Sequence, residues 1–148
     1  MAAAKEVVAG RVPVLSGVAE TTTQFAIEYS QDAEKLGIDG LMVLPGMVYR
    51  STEREAIHHY QQVARNTALP IMVYNNPITN GVDVSIEGMK TLSEEQNIVA
   101  VKEATEDTRR ISELFSEFGD RYTVFGGVDD IALESLMLGA TGWISGLT

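Results

Sequence analysis

Cysteine is absent from the 148 residues. Disulfide staples, thiolate metal sites and cysteine nucleophiles are thereby excluded, and an oxidising compartment has nothing to stabilise. Basic side chains are scarce. Eleven Lys and Arg stand against 21 Asp and Glu, a formal net charge of −10. Nucleic acid and anionic membrane surfaces both need a basic footprint, so neither is an expected partner. No apolar run approaches the length that spans a bilayer, and the first residues carry no secretory signal pattern. A cytoplasmic location is the expectation. No GxGxxG or GxxxxGK[ST] opens a helix, which removes the usual support for a doubly wound nucleotide-binding fold. Histidine is limited to His58 and His59. Adjacent residues on a helix do not share a face, so this pair reads as solvated surface and no metal is expected.

What is present is a rhythm. The composition, 45% hydrophobic and 22% charged, suits one domain over residues 1–148 with a sizeable core. Met1 to Val8 reads as the end of an amphipathic helix that starts without a cap. Short apolar strands are expected at 12–15, 40–44, 71–74, 97–101, 122–125 and 142–145. Helices are expected between them. Thr21 to Thr23 offer caps for a helix to Lys35, and Thr52 with Glu55 forms a capping box for a helix to about Arg65. Ser85 caps a helix over 86–92, and Thr108 caps one over 109–118. Asp129 or Asp130 starts the last, which runs to Leu138. Strand and helix alternating without a linker is the signature of an α/β fold with a parallel sheet. Right-handed crossovers then gather the C-terminal ends of all strands on one rim, where such folds bind ligands.

Chemistry concentrates there. The apolar run Asn97-Ile98-Val99-Ala100-Val101 leads straight into Lys102. Either the strand ends and the ammonium reaches water, or a partly desolvated amine becomes a nucleophile towards carbonyls. Tyr74 ends the preceding strand, so its phenol should stand beside Lys102 and could relay protons during imine formation. A rim tyrosine with a wet hydroxyl is the alternative. Glu103 should point the other way, towards a helix, as a structural partner. Gly126-Gly127 and Ser145-Gly146 could cradle an oxyanion or a phosphate on backbone N–H groups.

Tyr74-Asn75-Asn76-Pro77 followed by Lys102-Glu103-Ala104-Thr105 resembles the YNxP and KEAT segments of the dihydrodipicolinate synthase / N-acetylneuraminate lyase family. Arg11-Val12-Pro13-Val14, Asn97-Ile98-Val99 and Gly142-Trp143-Ile144-Ser145 are similar to further segments of that family, in the same order. The resemblance implies an eight-stranded (β/α) TIM barrel, usually assembled as a homotetramer of tight dimers. It implies class I aldolase-type lyase chemistry without metal or organic cofactor. Lys102 would form the Schiff base with a 2-oxo acid such as pyruvate, and Tyr74 would shuttle protons.

Departures from the family pattern refine the expectation. The GTTGE-type segment that binds the keto acid's carboxylate has no counterpart, so the chain is expected to supply about strands 3 to 8 of the barrel. Thr79 stands where the synthases proper carry an arginine that would clamp the second substrate's carboxylate. Gly46-Met47-Val48-Tyr49 replaces an expected tyrosine pair, leaving Tyr49 as the candidate substitute. Glu20 departs from a small polar residue and is a candidate to touch a substrate hydroxyl or amine. The leading expectation is a Schiff-base lyase acting on pyruvate, another 2-oxo acid or a cyclic imino acid, closer to a catabolic branch. The synthase of lysine biosynthesis, a phosphate-binding barrel enzyme and an inactive fragment are the alternatives.

Overall fold

The computed structural model describes residues 1–46 and 48–147. The Met47 position of the replaced tyrosine pair, and Thr148, therefore lie outside the described residues. Six strands form one parallel sheet: β1 (Leu15–Val18), β2 (Gly40–Val43), β3 (Ile71–Asn75), β4 (Ile98–Glu103), β5 (Thr123–Gly126) and β6 (Gly142–Trp143). The helices are α1 (Ala2–Val8), α2 (Thr23–Lys35), α3 (Glu53–Ala64), α4 (Pro77–Asn80), α5 (Ile86–Leu92), α6 (Arg109–Phe118) and α7 (Ala132–Met137). Strand order in the sheet equals order in the chain. A doubly wound sheet reverses its order at a switch point, whereas a (β/α) barrel adds each strand beside the last. The architecture is thus the incomplete TIM barrel expected, six strands with β1 and β6 as edges.

Local chemistry explains most boundaries. The Thr22 hydroxyl accepts the Phe25 amide to start α2, and Thr52 with Glu55 closes a complete capping box on α3. Ser85 caps α5 through the Gly88 amide. Four expectations change. Pairing in β1 starts at Leu15 rather than Val12. Pro13 has no N–H to give, and the Val14 amide goes to the Asp39 carboxylate at 2.7 Å instead of a strand neighbour. Thr108 makes no side-chain cap on α6; the Arg109 amide is taken by Asp107. Neither Asp129 nor Asp130 caps a helix. They open a single 3₁₀ turn, and α7 begins only at Ala132. His59 is buried rather than solvated. Its Nδ1 lies 3.0 Å from the Thr23 hydroxyl, and burial lowers its proton affinity, while His58 stays exposed.

The main core fills the space between the sheet and its helices. Leu41, Val43, Ile71, Val73, Ile98, Val101 and Val124 meet Ala26, Tyr60, Val63, Met89, Leu92 and Leu114 there. At roughly 1.5–3 kcal/mol for each large apolar side chain removed from water, this layer holds the helices to the sheet. By contrast α1 buries no residue, and its Lys5 reaches back to Asp39 at 2.8 Å.

One irregularity decides which side chains face the other way. Ile71 pairs with Ile98, but Met72 pairs with Ala100, so Val99 is an extra residue in β4. Strand side chains alternate between faces, and a bulge of one residue resets that alternation. Beyond Val99 the register runs Val73 with Val101, Tyr74 with Lys102 and Asn75 with Glu103. Met72 and Ala100 are buried outside the helix-side cluster, on the same face as Tyr74 and Lys102.

Candidate active site

Register places Tyr74 and Lys102 side by side, and the side chains meet. Lys102 Nζ lies 4.3 Å from the centroid of the Tyr74 ring. Lys102 is only 6% exposed. Ion pairs among the described residues join other groups, such as Arg65 to Glu95 and Arg110 to Asp83, and none takes in Lys102. A buried amine with a ring face and no carboxylate partner is poor structural design, since buried charges are normally paired. It is good design for a nucleophile. The backbone is shaped around it. A Cβ added to Gly127 would sit 3.0 Å from Lys102 Cε and 2.7 Å from Ala104 Cβ, so β5 approaches the lysine stem as closely as it does because position 127 has no side chain.

One residue further along both strands, Asn75 and Glu103 face the helices, as expected for Glu103. The Glu103 carboxylate accepts the Thr105 amide at 2.8 Å and Asn75 Nδ2 at 3.1 Å. Asn75 Oδ1 accepts the Val84 amide, and Nδ2 also reaches Asp83, which pairs with Arg110. Burial pushes the Glu103 carboxyl above the ordinary carboxylate range, against the hydrogen bonds from Thr105 and Asn75. For Asp83, burial alone would raise the carboxyl, but the hydrogen bonds from Arg110 and Asn75 outweigh it and hold it low.

A cleft of about 430 Å³ opens on the rim next to this pair, lined by Asn76, Thr79, Ala104, Gly127, Asp129 and others but not by Lys102 or Tyr74 themselves. Of the residues singled out from the sequence, Thr79 lines it directly. Gly126 does not: a Cβ there would point at Ser135 of α7, and Gly127 is the glycine on the cleft. Ser145 is half-buried beside it, its hydroxyl engaged with the Leu147 backbone. Tyr49 is 75% exposed and lines a separate cleft of about 700 Å³ between the starts of α2 and α3. Glu20 is half-buried in the segment before α2 and lines neither cleft.

The glycine pairs do not make an anion cradle. The Gly127 N–H is spent on the Glu103 carbonyl, and the Gly146 N–H faces the Asp129 carboxylate. Asp129 also takes the Trp143 indole N–H at 2.8 Å, which ties β6 to the rim and holds that carboxyl below its usual range. Glu106, Asp129 and Asp130 also stand around the opening, so the stretch of rim next to these glycines is acidic. Among the described residues no group of three or more His, Asp or Glu is arranged to hold a metal ion. Two contributors escaped the sequence reading. Asn76 follows Tyr74 at the spacing that shares a strand face, and its donor reaches the phenol. Gly127 was visible only as half of a turn.

Known proteins are similar to this chain in sequence and fold. A 4-hydroxy-tetrahydrodipicolinate synthase of Halalkalibacterium halodurans is 34% identical over 140 residues, 95% of this chain and 48% of the relative. The solved 4-hydroxy-tetrahydrodipicolinate synthase of Methylacidiphilum fumariolicum superposes with a TM-score of 0.92 at 32% identity, covering 97% of this chain and 48% of that one. A dihydrodipicolinate synthase of Acinetobacter baumannii, solved with pyruvate, gives 0.90 at 33% identity, covering 95% and 48%. The chain spans about half the length of the relatives it matches. These relatives are named as synthases, so the leaning towards a catabolic branch gains nothing from them and the synthase alternative gains most. Matched over residues 1–148 by the pattern of that family, the chain belongs to the dihydrodipicolinate synthetase family.

Proposed function

We propose that the protein is a Schiff-base-forming lyase of the synthase type, acting on pyruvate or a closely related 2-oxo acid. The observation that carries this is the buried, unpaired Lys102 amine 4.3 Å from the Tyr74 ring. Lys102 Nζ attacks the ketone carbon, and the oxygen leaves as water after two proton transfers. Tyr74 is placed to carry those protons, a role worth roughly 10²–10⁴-fold in such steps. The resulting imine draws electrons from the neighbouring carbon, which loses a proton and becomes the nucleophile towards an aldehyde. Water then releases the product and restores the amine. The pyruvate complex of the Acinetobacter baumannii relative supports the 2-oxo acid, and the relatives' names support condensation. Among the described residues no hydrogen bond or ion pair joins Gly126, Ser145, Tyr49 or Glu20 to Lys102, so the proposal rests on Lys102 and Tyr74.

A second reading keeps the imine and changes the partner. Thr79 lines the cleft with a hydroxyl where the synthases proper are expected to carry a guanidinium, which favours an aldehyde without a carboxylate to clamp. A homo-oligomer and a cytoplasmic location accompany the proposal, the latter in keeping with the lack of cysteine. No helix among the described residues is long and apolar enough to cross a membrane. Borohydride treatment of the intact protein with pyruvate tests the central step. A stable adduct mapped to Lys102 is expected, and the absence of trapping with every 2-oxo acid tried overturns the proposal.

A further inference from the structure

Asn76 holds the phenol that the proposed chemistry depends on. Its side-chain amide is committed at both ends. Oδ1 accepts the Thr79 amide at 3.1 Å and so caps α4. That contact fixes which end of the amide is oxygen and leaves Nδ2 as a donor. Nδ2 then donates to the Tyr74 hydroxyl at 2.9 Å. Pro77 at the first position of α4 holds the turn that delivers this amide. The half-buried phenol has no other protein partner for its hydroxyl among the described residues.

We propose that Asn76 is a positioning residue for Tyr74, orienting its hydroxyl proton and supporting charge on its oxygen during proton transfer. The inference rests on the Schiff-base reading above. An amide N–H that occupies the in-plane lone pair of a phenol oxygen turns the phenolic hydrogen to the other ortho edge, within the ring plane. Among the described residues no protein acceptor takes that hydrogen. When the proton leaves, the same N–H faces a negative oxygen, and hydrogen bonds to charged acceptors are about twice as strong as neutral ones. The donor is already in place, so no reorganisation is needed at the moment of transfer.

Two substitutions separate this role from the cap. Asn76→Asp keeps a cap acceptor for the Thr79 amide but offers the phenol no hydrogen. Asn76→Ser caps without adding charge, and its short side chain cannot reach the phenol. Both are equal to Asn as helix caps, so melting temperature should hold. The rate of borohydride trapping with pyruvate should fall about tenfold or more in both, since a tenfold change corresponds to losing about 1.4 kcal/mol, within the range of a hydrogen bond to a charged group. The KM for pyruvate should change far less than kcat. Tyr74→Phe should also slow trapping, and adding Asn76→Ser to it should slow trapping no further. Full trapping rates in both Asn76 variants, or an undiminished Asn76→Ser effect in the Tyr74→Phe background, overturn the inference while leaving the Schiff-base reading standing. A wild-type protein that is not trapped at all overturns that reading, and the inference with it.

Discussion

Two pairs of polar side chains occupy successive rungs of the same two strands. Tyr74 with Lys102 faces one side of the sheet, and Asn75 with Glu103 faces the other. Their surroundings differ in one respect above all. Every atom of the Asn75 amide and both oxygens of Glu103 have partners in a network that runs through Val84, Thr105 and Asp83 to Arg110. Lys102 has a ring and a glycine beside it and, among the described residues, no hydrogen-bond acceptor. Buried polar groups that are fully satisfied hold a structure together, whereas those left unsatisfied are destabilising unless something else binds them. The second condition describes a reacting group before its substrate arrives.

The sharpest way to break this comparison is to remove one member from each rung. Lys102→Met should abolish borohydride trapping and lower kcat by on the order of 10⁴-fold or more. Its urea midpoint should stay level or rise, because an unpaired buried amine is gone. Glu103→Ala should do the reverse. It leaves one Asn75 Nδ2 hydrogen and the Thr105 amide without their acceptor, costs about 1–3 kcal/mol in urea unfolding, and leaves the amine in place to be trapped in the folded fraction. If Lys102→Met unfolds the protein, the division into a reactive and a structural rung is wrong.

Gly127→Ala crosses between the two. Its methyl would press on Ala104 and on the Lys102 stem at 2.7 and 3.0 Å. A stability loss of about 1–3 kcal/mol is expected together with slower trapping, read by thermal melts and trapping rates on one sample. The smallest effect concerns pH. Asp83 is held below its ordinary value of 3.8, so its contribution is present above that pH and lost as pH falls through the folded value. Glu103 is pushed above its ordinary 4.5, so its contribution is complete below that pH and lost as pH rises through the folded value. Urea midpoints measured across pH should show the acid-side fall diminished in Asp83→Asn and the rise-of-pH loss diminished in Glu103→Ala.

Much of this was legible in the residues themselves. Short apolar runs between caps and glycines gave the strand and helix alternation, because each cap satisfies amides that a helix start must satisfy somehow. Tyr74 and Lys102 could be paired by counting strand ends. What escaped was whatever depends on a partner distant in sequence. Asp129 looked like a cap because it precedes a helix, yet its carboxylate serves Trp143 fourteen residues on. His59 reads as solvated because an adjacent pair on a helix cannot chelate a metal, yet the two residues point to different faces and α2 packs over this one. Val12 and Pro13 looked like strand because they are apolar, yet Asp39 claims the next amide. Tyr49 carried the right side chain in a segment that faces a different cleft.

The surplus residue Val99 carries a last consequence. A β-ladder has only two phases, odd and even, and β4 changes phase at that point. Were that bulge flattened so that Val99 paired with Met72, every later side chain would trade sides: Val101 would look into the cleft and Lys102 into the oily layer beneath the helices. What singles out this lysine as the reactive amine is therefore a matter of parity in the backbone, and drawing the surplus residue into the ladder would silence the site without altering any of its functional groups.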